Sequence, residues 1–164
     1  MSIGNEKPYA ILVFGAPMSG KTTFAKHFSD SINAPFFNFS ELQSKHHMSR
    51  KLALEIIRNV AKGKAPFIIE GLMDTESDRD EIRNLLVEQG YSPALVWVQT
   101  DLNAIKQRMR HAYKTLAEAK AALASSYEHI EAPSESEKVL VISGKHTYQT
   151  QCKNVINNLD SFRN

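Results

Sequence analysis

Gly15-Ala16-Pro17-Met18-Ser19-Gly20-Lys21-Thr22 reads G-x-x-x-x-G-K-T, the pattern of a loop that wraps backbone N–H groups around phosphate. The apolar run Tyr9-Ala10-Ile11-Leu12-Val13-Phe14 leads into it. Thr22-Thr23-Phe24-Ala25-Lys26-His27-Phe28 leads out, with Phe24 and Phe28 at i,i+4 spacing. A buried strand, a tight loop and an amphipathic helix therefore follow one another. That order turns successive N–H groups toward one centre and adds the positive end of the helix dipole, so a polyphosphate is the natural occupant. Gly15 and Gly20 permit torsions that side chains forbid, and Ala16, Pro17, Met18, Ser19 and Thr23 complete the cradle. Lys21 can reach the β- and γ-phosphates, and the Thr22 hydroxyl can ligate Mg²⁺.

Outward from this loop, the 164 residues are 42% hydrophobic and 23% charged, which suits a single domain over 1–164 with a sizeable core. A short polar leader over residues 1–7, unlike a signal peptide, is expected before the first strand. No apolar run approaches the roughly 20 residues that cross a bilayer. The lone cysteine, Cys152, excludes an internal disulfide and a thiolate zinc cluster. A reducing, cytoplasmic setting fits. A formal charge of +2 does not by itself indicate a nucleic-acid-coating protein, though a local basic groove remains compatible with it.

Downstream, Asn33-Ala34-Pro35 breaks the first helix and Phe36-Phe37-Asn38-Phe39 forms a short second strand. With Ser40 as N-cap, a helix is predicted over 41–62, its stripe made of Leu52, Ala53, Ile56, Ile57 and Val60 and its end set by Gly63. Pro66-Phe67-Ile68-Ile69 is a third strand ending at Glu70-Gly71. The next helix starts near Thr75 or Ser77, buries Ile82, Leu85 and Leu86, and stops at Gly90. Ala94-Leu95-Val96-Trp97-Val98 is a fourth strand, and Asp101 caps a helix with Leu102, Ile105 and Met109 inward. Residues 111–133 lack a regular apolar stripe and read as a loosely attached helical lid. Lys138-Val139-Leu140-Val141-Ile142 is a fifth strand, and the final helix over 147–162 turns Cys152, Val155, Ile156 and Leu159 inward. Five β-then-α units imply a parallel sheet.

Phosphoryl transfer needs a metal anchor, cations on the migrating group and a group that positions the acceptor hydroxyl. Glu70, at the end of the third strand, stands where ligands gather in open α/β sheets and is the metal-anchor candidate beside Thr22. The alternatives are an ordinary strand-end acid or a partner for a nearby basic residue; Asp74 is the reserve. Glu41, past the second strand, either points across the crevice to an acceptor hydroxyl or serves its own helix dipole. Arg79 and Arg83, one turn apart, could reach the cleft or face water. Arg108 and Arg110, at the hinge of the lid, could bring guanidinium groups onto the phosphates or complement a helix C-terminus. His46 and His47 are adjacent and cannot form a metal pair on one helix face. Trp97 and Cys152 read as core.

The loop, Glu70-Gly71, the helix of Arg79, the strand Val96-Trp97-Val98 and Arg108, in that order, resemble the small P-loop kinases of the adenylate-kinase-like superfamily. The closer resemblance is to AAA-domain "33" type proteins, which include polynucleotide 5′-kinase domains and zeta-toxin-like kinases. The resemblance implies a three-layer α/β P-loop NTPase fold, a five-stranded parallel sheet in the order 2-3-1-4-5 with helices on both faces, and a helical lid over about 111–133. It also implies ATP with Mg²⁺ and an acceptor near the end of the second strand. The chain departs from relatives in carrying Glu70 where Asp is common, and Arg108, Arg110 and Lys114 in place of arginines spaced a turn apart. The expected activity is transfer of the γ-phosphate of ATP to a hydroxyl of a small metabolite, a nucleotide or a nucleic-acid 5′ end; Lys21, Glu41, Glu70, Arg108 and Arg110 are the catalytic candidates. The competing expectation is a nucleotide-gated binding module or weak ATPase. No N-K-x-D or T-K-x-D guanine-reading tetrapeptide occurs, which disfavours a GTPase.

Overall fold

β1 (Tyr9–Phe14) is the middle strand of a five-stranded parallel sheet, and Ala10, Ile11, Leu12 and Val13 are wholly buried because helices cover both faces. The structure is a computed structural model and describes residues 6–163, with the side chains at 123 and 126 excepted. Most of the polar leader, residues 1–5, lies outside the described residues.

The elements alternate along the chain. α1 (Lys21–Ile32), β2 (Phe36–Asn38), α2 (Phe39–His46), α3 (Arg50–Ala61), β3 (Phe67–Glu70), α4 (Glu76–Glu88) and β4 (Ser92–Gln99) come first. α5 (Leu102–Ala112), α6 (Leu116–Tyr127), β5 (Val139–Ser143), α7 (Tyr148–Asn158) and a closing 3-10 turn, Leu159–Phe162, follow. The spatial order is β2-β3-β1-β4-β5, as expected. Period-two alternation splits β1 between two cores. Leu12 and Phe14 pack with Ala53, Ile57, Ile82 and Leu86 on the α3–α4 side. Ile11 and Val13 pack with Phe24, Phe28, Cys152 and Val155 on the α1–α7 side. The register sets Asn38 beside Glu70 and Glu70 beside Val13, so three adjacent strands end level with one another under the phosphate loop.

The single helix predicted over 41–62 is two. Asn38, not Ser40, caps α2 by accepting from the Glu41 N–H, and His47 ends it in a left-handed conformation at φ 52. Ser49 then caps α3 by accepting from Leu52 N–H. The left-handed His47 stops α2 and the Ser49 cap starts α3 afresh, and α3 buries Leu54 while leaving Leu52 at the surface. Leu102 and Ile156, expected inward, are also exposed. Leu102 opens α5 directly after its Asp101 cap, and Gln151 takes an inward place on α7, where its amide donates to the Ser143 and His146 carbonyls.

Beyond α5 the helical reading holds for α6, whose Thr115 and Glu118 form a capping box. α6 touches the rest of the protein through a small cluster of Ala16, Ile105, Met109 and Ala119. Among the described residues no helix is long and apolar enough to cross a membrane.

Candidate functional site

The loop between β1 and α1 is held from three sides. Gly15 has φ 155, and a Cβ there would lie 2.6 Å from the Val98 carbonyl, so only glycine lets β1 and β4 meet at this point. Ser19 N–H donates to Ala16 O at 3.1 Å, and Thr100 Oγ1, at the end of β4, donates to Ser19 O at 2.8 Å. Arg108 Nη1, from α5, donates to Met18 O at 2.7 Å. Lys21, the first residue of α1, donates to Ala16 O at 3.3 Å. A cavity of ≈ 370 Å³ lies against the loop, lined by Met18, Gly20, Lys21, Thr22, Thr23, Arg108 and Tyr148.

Two carboxylates, Glu70 and Asp74, stand near Lys21 without lining this cavity. Thr22 Oγ1 donates to Glu70 Oε1 at 2.8 Å, and the second oxygen, Glu70 Oε2, is buried without a hydrogen-bond partner. Burial raises the Glu70 pKa; the Thr22 hydrogen bond and the Lys21 charge oppose that shift. Burial lowers the Lys21 pKa, against the pull of Glu70 and Asp74. Glu70 and Asp74 are therefore both within electrostatic reach of the loop ammonium. The Glu70-Gly71 turn is fixed by contact: Gly71 has φ 94, and a Cβ would come 2.5 Å from Ser40 N. Burial, then the neighbouring Asp78, raises the Asp74 pKa, while Lys21, His129 and Arg50 lower it.

Arg79 does not reach the cleft or face water. It is wholly buried, its Nε and Nη2 pairing with the two Glu137 oxygens at 2.7 Å each. Its Nη1 donates to the carbonyls of Glu131 at 3.0 Å and Met73 at 3.3 Å, and the guanidinium sits 4.7 Å over the Phe14 ring. Glu131 N–H donates to Asp74 O at 2.8 Å, and Glu131 Oε2 accepts from Glu76 N–H. The segment between α6 and β5 is thereby strapped to the turn that carries Asp74. No local signal in the sequence marks this, because Arg79 and Glu137 are 58 residues apart.

The remaining candidates are dispersed. Of the two readings of Glu41, the structure favours the local one: the residue stands in the first turn of α2 and its carboxylate pairs with Lys45 at 2.5 Å one turn along that helix. That contact holds its pKa down, and the group lies on a cavity at the β2 edge with Phe36, Asn38 and His46. Arg83 pairs with Asp80 on the solvent face. Arg108 touches the loop, whereas Arg110 lines a separate cleft between α5 and α6. Tyr148, read from sequence only as part of a closing helix, lines the phosphate-side cavity and stacks on His27 at 4.5 Å between ring centroids.

Among the described residues there is no cluster of three or more His, Cys, Asp or Glu placed to hold a metal. Oxygen donors do converge: the Thr22 hydroxyl beside a buried Glu70 oxygen that lacks a partner is a hard-ligand pair of the kind that suits Mg²⁺ alongside phosphate oxygens.

No protein-family model matches the sequence, and no curated protein sequence matches it. Solved structures do match in shape. A gluconokinase from Sinorhizobium meliloti superposes with a TM-score of 0.72 at 16% identity, over 96% of this chain and 95% of its own. The APS kinase CysC of Mycobacterium tuberculosis, in complex with AMPPNP and APS, gives 0.70 at 15% identity, over 94% and 98%. Kti12 of Chaetomium thermophilum, in complex with ADP-AlF3, gives 0.69 at 14% identity, over 94% and 99%. With the sheet order, the phosphate loop and the helices on both faces, these likenesses establish that the chain has the fold of the P-loop kinases.

Proposed function

We propose that this protein is a phosphotransferase that binds ATP with Mg²⁺ at the loop of residues 15–22 and passes the γ-phosphate to an acceptor hydroxyl. The observation that carries the reading is the hydrogen bond from Thr22 to a buried Glu70 whose other oxygen is free, set beside Lys21. The likeness to a gluconokinase and to an APS kinase solved with a nucleotide analogue supports the same class, and membership of the AAA-domain "33" group is part of the proposal.

In this reading the loop N–H groups and Lys21 hold the β- and γ-phosphates, and Thr22 and Glu70 hold the metal. When bound, Mg²⁺ neutralises charge on the phosphate oxygens. Arg108 is poised to leave the Met18 carbonyl for the transferring group, where a guanidinium stabilises developing charge. We assign the acceptor base to Asp74, which lies within electrostatic reach of Lys21, rather than to Glu41, which Lys45 engages. The Asp74 pKa is raised, chiefly by burial, whereas the Lys45 hydrogen bond lowers that of Glu41 and makes it a weaker base. Asp74 would take the hydroxyl proton as the acceptor oxygen attacks.

The test is ADP release from ATP and Mg²⁺ with a panel of sugar acids, polyols, nucleosides and oligonucleotide ends. Acceleration by one acceptor class, lost in Lys21→Ala, is the expected result. A slow rate that no acceptor changes would favour a weak ATPase or nucleotide-gated module.

A further inference from the structure

α5 and α6 lie side by side next to the phosphate loop, their contact filled by Ile105, Met109, Ala119 and Ala16. Beside that contact a cleft of ≈ 140 Å³ opens between the two helices, lined by Lys106, Met109, Arg110, Leu116, Ala119 and Lys120. Lys106 and Arg110 are one turn apart on α5, and Leu116 and Lys120 one turn apart on α6, so three cations converge on one apolar floor. None of the three belongs to an ion pair among the described residues. The one acid on these helices, Glu118, is held by the Thr115 N–H at 3.2 Å in the capping box.

The arm is electrically distinct from the body. Residues 102–127 contain Lys106, Arg108, Arg110, Lys114 and Lys120 against Glu118 alone, whereas the whole chain totals +2, so everything outside the arm is net negative. Exposed Tyr113 and Tyr127 stand on the same arm. Like charges gathered without a counter-ion repel, and an anion relieves them. The cleft is smaller than the roughly 300 Å³ of an enclosed small-molecule site, which favours an extended ligand that lays one group in it. Repeated phosphates, apolar base faces and exposed aromatic platforms are complementary features of single-strand binding, and an acidic peptide lacks the base faces.

We propose that the cleft between α5 and α6 is a docking site for a single-stranded nucleic acid, with Lys106, Arg110 and Lys120 on its phosphates and a base against Met109 and Leu116. The cleft shares no lining residue with the cavity of Lys21 and Thr22, so the two sites can be separated by mutation.

The experiment is fluorescence anisotropy with a fluorescein-labelled uridine dodecamer and the full chain without ATP, together with calorimetric titration of ATP. Three phosphate contacts predict a slope of log K against log salt of about −2, at roughly −0.7 per contact. Lys106→Glu with Lys120→Glu should weaken oligonucleotide binding about tenfold or more at low salt and flatten the slope, while ATP affinity stays as in the wild type. Lys21→Ala should do the reverse. If the double Glu variant fails to fold by circular dichroism, Lys106→Gln with Lys120→Gln is judged by the same criteria. Oligonucleotide binding without ATP binding would overturn the phosphotransferase reading and leave this one standing. Salt-independent binding, unchanged binding by the double variant, or equal binding of a labelled polyglutamate dodecamer would overturn the docking site.

Discussion

Thr22 Oγ1 and Glu70 Oε1 are joined by a 2.8 Å hydrogen bond across 48 residues of sequence, linking the start of α1 to the end of β3. The bond leaves Glu70 Oε2 buried and unpartnered at the phosphate loop, an arrangement that costs stability unless a ligand completes it.

Glu70→Gln separates stability from chemistry. Because burial raises its folded pKa above the ordinary 4.5, ionised Glu70 destabilises the fold, and the penalty appears as pH rises through and above that value. Glu70→Gln should therefore melt at or above the wild-type temperature at pH 7, with the difference shrinking toward pH 4. It should bind nucleotide yet lose turnover. A melting temperature well below wild type at pH 7 would mean that the carboxylate supports the fold.

Asp74→Asn should lower kcat by about 10²–10⁴-fold, the usual range for a general base, with little change in ATP affinity. The acid limb of the wild-type kcat/KM profile should lie above the ordinary Asp value of 3.8, since burial raises this group, and should vanish in the variant. The corresponding Glu41→Gln change should be mild.

The Arg79–Glu137 pair tests the strap. Arg79→Ala leaves Glu137 buried without its partner and should cost about 3–5 kcal/mol in denaturant unfolding. Arg79→Met with Glu137→Leu removes both charges and should recover most of that loss. A single variant as stable as wild type would show that the buried pair does not hold the segment.

How much of this could be read from the chain alone depends on the range of the interaction. β1, the loop and α1 were legible because one apolar run, one glycine pattern and one i,i+4 aromatic pair sit in 20 consecutive positions, and the sheet order followed from the resemblance. No apolar pattern marks the break at His47, because the stripe of Leu52, Ile56 and Val60 lies wholly beyond it, within α3. Arg79 was misplaced because its partner Glu137 lies on a segment with no pattern of its own. Glu41 and Arg110 fall at the expected chain positions, but their side-chain directions are set by Lys45 and by the packing of α6, which no local spacing reveals.

α6 should be the segment that responds most to nucleotide. Ala119 is its only residue in the buried core among those described, and alanine buries little apolar area, so its amides should exchange quickly compared with β1. ATP with Mg²⁺ should slow exchange over residues 117–126 as Arg108 engages the phosphates, and Arg108→Ala should lower turnover more than affinity. Slow exchange without ligand would mark α6 as firmly packed.

The central claim is that the loop of residues 15–22 is the nucleotide site, and calorimetric titration of ATP with Mg²⁺ into wild type and Lys21→Ala tests it most directly. Lys21 supplies a charge-assisted contact worth about 1.5–3 kcal/mol, so the variant should bind about 10- to 100-fold more weakly with an unchanged circular dichroism spectrum. A folded Lys21→Ala protein that binds ATP as tightly as wild type would contradict the account.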